Sequence, residues 1–290
     1  MRIIVTGAAG LIGSAVAERL GRHHEVIGVD LRAAPTVDVV ADIAAVAGWG
    51  PALGALDAIV HVAALHAPHV GMRPDADFQR INVEATDRLI DHARRAGARH
   101  FVLTSTTSLY GHALAVTGRA VWVDESLEPQ PRDIYDRTKL DAEVLVTSAA
   151  DASLTTTILR MSRCFPESAA TMALLRLHRG IDRRDVAEAH ALATTRDAGP
   201  AQTFVISAAT PFKRGDCADL ADHAAAVIDR RCPGLKAAFA RRGWRVPRAI
   251  DRVYDSAAAS AGIGFAPRFG IDSCLSSDWD PSPIDRAPVD

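Results

Sequence analysis

The sequence predicts an α/β protein built on a doubly wound parallel sheet, with a smaller mixed region towards its C-terminal end. Three observations carry this. Short apolar runs alternate with helical periodicity through the first half of the chain. Runs such as Ala58-Ile-Val-His-Val-Ala63 are continuous rather than alternating, as in strands buried on both faces. The chain also opens on a strand, a turn with three glycines and a helical pattern, Arg2-Ile-Ile-Val-Thr-Gly-Ala-Ala-Gly-Leu-Ile-Gly13.

Taken in order, residues 3–5 form the first strand, and Leu11, Ile12, Ala15, Val16 and Leu20 mark a helix after the glycines. Strands are expected over 25–29, ending at Asp30, over 37–41, ending at Asp42, and over 58–63. A long helix with Phe78, Ile81, Leu89, Ile90 and Ala93 facing inward is closed by Gly97. A strand over 100–104, a helix over about 133–149 and a strand over 155–159 complete the repeated βα units, whose right-handed crossovers put helices on both faces. The rhythm changes after Arg160. Helices are expected over 169–177, 185–194, 220–228 and 256–261, and one more strand over 203–207. The division that follows is a sheet domain over 1–163, joined by the late strand near 202–207, a small substrate-binding region over 164–275, and a polar, proline-rich, flexible tail over 276–290.

With 290 residues the chain is long enough to bury a substantial core. A net charge of -2 points away from a nucleic-acid partner, and the pairs Arg230-Arg231 and Arg241-Arg242 are short enough to be solvated faces. No apolar run approaches the roughly 20 residues that span a bilayer. The N-terminus enters a strand without a signal-peptide pattern, so a cytoplasmic protein is expected. Cys164, Cys217, Cys232 and Cys274 are widely spaced, without the Cys-x-x-Cys pairs of a metal site, and no metal is expected.

Strand, glycine turn and helix at Gly7, Gly10 and Gly13 place backbone N–H groups and a helix N-terminus against a pyrophosphate. Asp30, 17 residues after Gly13 at the end of the second strand, is placed to accept both ribose hydroxyls of an adenosine and to repel a 2′-phosphate. This favours NAD over NADP, although Arg32 is near enough to neutralise a 2′-phosphate. Asp42 stands at the next strand end, where it could bond an adenine amino group. In Tyr135-Asp-Arg-Thr-Lys139 the tyrosine and lysine share one helix face. A nearby ammonium, assisted by an oxidised nicotinamide, would lower the phenol's pKa from about 10 and let it take an alcohol proton. The strand of 100–104 runs out into the hydroxyl-rich Ser105-Thr-Thr-Ser-Leu-Tyr-Gly111, which either holds a substrate oxygen or caps its own loop.

On these residues the chain resembles the extended short-chain dehydrogenases/reductases, the superfamily of nucleotide-sugar epimerases and dehydratases, with a Rossmann-type fold. His61-Val-Ala-Ala64, Asn82-Val83, Leu159-Arg160, Pro166, Arg184-Asp-Val-Ala187 and the Val253-Tyr-Asp to Gly270 ending extend the likeness over nearly the whole chain. The resemblance implies Thr106, five positions before Gly111, as the catalytic hydroxyl, Tyr135 as acid/base, and Lys139 as its partner and a ligand of the nicotinamide ribose. It assigns NAD contacts to Gly7, Ala9, Gly10, Leu11, Ile12 and Gly13 of the turn, and to Asp30, Leu31, Arg32, Asp42 and Ile43. It adds Val62, Ala63, Ala64, Asn82 and Thr104, and leaves His61 a structural residue. It also implies a homodimer.

The pattern departs in two places. Dehydratases of the superfamily follow the active-site threonine with Asp-Glu, whereas Thr106 is followed by Thr107-Ser108, which offers no carboxylate for elimination. Nucleotide-sugar members have a long segment after the proline that grips the nucleotide, whereas Pro166 and Asp185 are only 19 positions apart, and Arg163 stands where epimerases tend to have Asn. Such compactness, and the stretch from Arg160 to Glu167, resembles uronate dehydrogenases; Arg163 and Arg176 are candidates for a carboxylate clamp. The loop His66-Ala-Pro-His-Val-Gly-Met-Arg73 should face the substrate. The expected substrate contacts are His66, Thr106, Thr107, Tyr135 and Arg163. The reading is an NAD-dependent oxidoreductase of a small sugar-like or carboxylated molecule. A nucleotide-sugar 4-epimerase is the alternative, and a non-catalytic NAD-binding protein a more distant one.

Overall fold

A computed structural model describes residues 1–196 and 199–275; the tail expected over 276–290 lies outside them. The first part runs β1 (Arg2–Thr6), α1 (Leu11–Gly21), β2 (Glu25–Asp30), β3 (Val39–Val40), α2 (Val46–Trp49), β4 (Ala58–His61), α3 (Asp75–Phe78), α4 (Ala85–Arg95) and β5 (His100–Thr106). It continues through β6 (Val121–Val123), α5 (Ile134–Ser148), β7 (Thr155–Met161), α6 (Ala169–His178), α7 (Arg183–Thr195) and β8 (Ala201–Ile206). The last elements are α8 (Cys217–Arg231), α9 (Leu235–Arg241), β9 (Arg252–Tyr254), α10 (Ala257–Ile263) and α11 (Ile271–Leu275).

Seven strands form one parallel sheet in the order β3-β2-β1-β4-β5-β7-β8. This is the Rossmann-type α/β fold expected. The chain works outward from β1 to β3, then returns to β4 on the other side of β1, leaving a switch point between the carboxyl ends of β1 and β4 where such folds bind ligands.

The continuous apolar strands do what a two-sided sheet requires. Ile3 and Val5 of β1, Val60 of β4 and Val102 of β5 face a core completed by Val16 and Leu20 of α1 and Val186 of α7. Their neighbours Ile4, Ile59, Phe101 and Leu103 face the opposite core, with Leu89 and Ala93 of α4 and Ala142 and Val146 of α5. A separate cluster joins α6, α8 and α9 through Met172, Leu220, Val227 and Phe239, with Val253 of β9.

Three local expectations change. The third strand shortens to two residues, because Asp42 caps a 3-10 turn by accepting from Ala44 N (2.9 Å) and directs the chain off the sheet. The long helix is interrupted: between α3 and α4, Gln79–Glu84 form a π turn. Strands β6 and β9 were not foreseen. They are three residues each and pair in parallel across more than a hundred residues of sequence. The arginine pair Arg230-Arg231 converges on buried Asp216, whose carboxyl it holds down at about 2.

Three buried histidines are kept neutral. Burial lowers His61 to about 3, and His178 and His190 to about 4, from 6.5. The unfolded chain takes up these protons first, so stability is expected to be full above pH 6.5 and to fall as the pH drops towards 4. Urea midpoints measured across that range check this; an unchanged midpoint would contradict it.

Candidate active site

The carboxyl ends of the parallel strands bring the expected site residues to one edge. Gly7 follows β1 with a φ of 71°, and a Cβ there would lie 2.8 Å from the Ala63 nitrogen at the end of the β4 segment. Gly13, in the first turn of α1, packs so closely that a Cβ would sit 2.0 Å from the Gly7 carbonyl oxygen. Gly10 caps α1 and donates to the Gly7 carbonyl (2.9 Å). These contacts form a cradle open only to backbone, which suits a pyrophosphate at the helix N-terminus.

Asp30 ends β2 beside this cradle. Its Oδ2 accepts from Ala9 N and its Oδ1 from Arg32 N, both at 3.0 Å, which aims the carboxylate across the turn. Leu31 and Val40 flank it as exposed apolar side chains, a suitable wall for an adenine ring. Asp42 is more occupied than expected. Burial raises its pKa, but Arg80 (2.8 Å) and Ala44 N outweigh this and hold the carboxyl below the usual range.

A directed hydrogen-bond chain ties the two loops of the switch point to the helix α5. Thr6 Oγ1 accepts from the amides of Val62 (3.1 Å) and Ala63 (3.2 Å), so its proton goes to His61 Nδ1 (2.7 Å). Neutral His61 then donates from Nε2 to Thr86 (3.0 Å), and Thr86 donates to the Asn82 carbonyl (2.7 Å). The Asn82 side chain, on the π turn, grips both backbone groups of Leu65 (2.8 and 2.9 Å) and donates to Thr138 on α5 (3.1 Å). Asn82 therefore acts on the β4 loop that carries Val62, Ala63 and Ala64.

On α5, capped by Asp133, Tyr135 is half-buried and Lys139 fully buried. Burial pushes the Tyr135 phenol up to about 12, with Asp136 and Asp133 adding to it and a hydrogen bond with Thr106 opposing. The expected lowering by Lys139 is absent from these influences, because the ammonium turns to the Thr104 carbonyl (2.7 Å). Burial pulls Lys139 itself down to about 8 against the pull of Glu143. Thr106 caps the turn after β5 by accepting from Ser108 N (3.0 Å), which leaves its proton for the bond with the Tyr135 oxygen.

The expected substrate residues separate. Thr107 is buried and donates to the Met161 carbonyl (3.3 Å). Arg163 is paired with Glu167 and lies over the Phe165 ring, 5.3 Å from its centroid. Arg176 is buried against Asp182 (2.6 Å) and the Ser273 hydroxyl (2.5 Å), away from the edge of the sheet, and is not placed as a clamp. His66 stacks edge-on against His69 and faces Phe165 across 6.0 Å, joining the loop after β4 to the loop after β7.

The buried trio Glu143, Arg160 and Tyr110 carries no role in the sequence reading. Its signal was available: Glu143 follows Tyr135 by eight positions and Lys139 by four, on one helix stripe.

Fold and glycine cradle together define the class, an α/β protein of the Rossmann type. The sequence profile of the NAD dependent epimerase/dehydratase family matches residues 3–207, and the chain belongs to that family. It is 32% identical over 172 residues to a 3 beta-hydroxysteroid dehydrogenase/Delta 5-->4-isomerase of Mycobacterium tuberculosis (strain CDC 1551 / Oshkosh), a match covering 54% of this chain and 45% of that one. It is 30% identical over 170 residues to a UDP-glucose 4-epimerase of Corynebacterium glutamicum, covering 55% and 50%. The chain spans about half the length of the curated relatives it matches. In fold it is similar to a UDP-glucose-4-epimerase from Stenotrophomonas maltophila crystallised with bound NAD and formylated UDP-arabinopyranose. That likeness has a TM-score of 0.70 at 21% identity and covers 95% of this chain and 96% of the other.

The glycine cradle and Asp30 fit the pyrophosphate and ribose of NAD. Gly13→Ala should force the turn and helix apart, costing about 1–3 kcal/mol of stability. It should also remove NAD binding, read by calorimetry and by thermal denaturation with and without NAD. Undiminished affinity would refute the cradle.

Proposed function

We propose that the chain is a dehydrogenase acting on a secondary alcohol or hemiacetal carbon of a small sugar-like or carboxylated substrate that carries no nucleotide. The observation that carries this is the brevity of the chain between β7 and α7. It holds only α6 and a return in which Ile181 N donates to the Arg163 carbonyl (3.0 Å) and Ala208 N to the Gly180 carbonyl (3.0 Å). The segment is sewn to the ends of β7 and β8, leaving little chain to enclose a nucleotide.

NAD, when bound, supplies the hydride acceptor and a positive nicotinamide ring. The protein does the rest. Thr106 turns its proton from Tyr135 to the substrate oxygen and holds it against Tyr135. The Tyr135 hydroxyl oxygen, as phenolate, takes the alcohol proton. With its pKa near 12 in this structure, that requires cationic charge brought close, from the cofactor ring and from the Lys139 ammonium. His66, Arg163 and Phe165 then border the substrate, with Arg163 exchanging Glu167 for a substrate carboxylate. Such an enzyme would belong with the uronate dehydrogenases.

A second reading is a nucleotide-sugar 4-epimerase that retains its NAD; the likeness to UDP-glucose 4-epimerases in sequence and fold favours it. We propose a homodimer in either case, with exposed Val144 on the outer face of α5 as a contact.

A panel of uronates, aldoses and UDP-sugars with free NAD tests these readings. NADH formation on a nucleotide-free substrate is the expected result. Conversion of a UDP-sugar without net NADH would favour the epimerase instead. Tyr135→Phe should keep NAD affinity and lower turnover by about 10²–10⁴-fold, the usual contribution of a general acid/base. Turnover at the native rate in this variant would overturn the assignment of Tyr135.

A further inference from the structure

Beneath the proposed catalytic pair lies a buried ionic cluster that the mechanism above does not use. Glu143 stands one helical turn beyond Lys139, and both are buried. Its Oε2 accepts from Arg160 Nη2 (2.7 Å), its two oxygens share Arg160 Nε (3.1 Å each), and Oε1 accepts from Ser105 Oγ (2.5 Å). Ser105 and Arg160 are register partners across β5 and β7, and Ser105 precedes Thr106 directly. Arg160 also donates to the Tyr110 hydroxyl (3.2 Å), which donates in turn to the Asp124 carbonyl (3.0 Å).

We propose that Glu143 is a positioning residue that keeps Lys139 an ammonium at the cofactor site and locks the β5 end carrying Thr106 to the helix carrying Tyr135. This rests on the reading of Lys139 as a ligand of NAD.

The electrostatics are those of a buried cation with one counter-charge. On its own helix Lys139 has Tyr135 and Glu143. From β5 it has the Thr104 carbonyl, whose side-chain hydroxyl is held by neutral His190 of α7 (2.7 Å). From β4 it has His61, itself neutral, whose protonation the ammonium opposes. From β7 comes Arg160, a second cation, reaching the same carboxylate. Glu143 is the group that raises the Lys139 pKa against burial. Without it, two buried cations would share no counter-ion, and the lysine, unlike the guanidinium, has the option of losing its proton.

The test is the pH dependence of NAD affinity, measured by calorimetry on the full chain, which needs neither substrate nor turnover. The native protein should lose affinity as the pH rises through about 8. Lys139→Met should abolish that step. Glu143→Gln should move it down by about one pH unit or more, a loss of affinity of about fivefold at the native step that approaches tenfold above it. Arg160→Gln should move it up, since Glu143 would then face Lys139 alone. A Glu143→Gln profile superimposed on the native one overturns the proposal. Should that variant not fold, an Arg160→Gln profile without an upward shift overturns it instead. Absence of NAD binding by the native chain would overturn the reading beneath it, whereas failure to find a substrate would leave these profiles unaffected.

Discussion

The geometry of this protein depends on one buried chain of hydrogen bonds, from Thr6 through His61 and Thr86 to Asn82 and on to Thr138. Each link has one direction, since Thr6 already accepts two amides and must give its proton to the imidazole. The imidazole is thereby fixed as the neutral Nε2–H tautomer. Such a chain cannot relay a proton without reversing every member, so its role is to hold rather than to transfer. It holds the turn after β1, the loop after β4 and the helix α5 in a single frame. These three elements carry the glycine cradle, the backbone that faces it and Tyr135.

Steric closeness does the complementary work. The turn and the first helical turn touch where neither Gly7 nor Gly13 has room for a side chain, so the helix N-terminus is aimed and not merely nearby. Charge then enters at two strand ends, Asp30 from β2 and Arg160 from β7, and from α5 through Lys139, whose ammonium bonds the Thr104 carbonyl of β5. The ordering of strands sets their spacing across the crevice, which is why one sheet edge presents Asp30 and Tyr135 to the same switch point.

Much of this was legible in the sequence because it is written in local patterns. The glycine spacing encodes backbone approach, the Tyr135–Lys139 interval encodes a helix face, and continuous apolar runs encode strands covered on both sides. What was not legible depends on distant pairing. Arg160 reads as a strand-end arginine until the register beside Ser105 puts it against Glu143. Strands β6 and β9 are too short to carry a periodic signal and exist because they find each other. The raised Tyr135 pKa in this structure has a related cause: the sequence shows that a lysine is near, but not that its ammonium is engaged by the Thr104 carbonyl while the phenol is surrounded by protein. Arg176 looked available because its burial against Asp182 is a tertiary fact.

The π turn at Gln79–Glu84 has a consequence for how this helix tolerates change. One residue more than an α turn shifts the angular phase of everything beyond it by about 100°. Phe78 before the turn and Leu89 after it are both buried, and Asn82 at the turn points to the β4 loop. A single-residue deletion in this stretch would restore a regular α-helix while rotating either its beginning or its end off the core. The segment can therefore accept substitutions at its exposed positions far more readily than any alteration in its length.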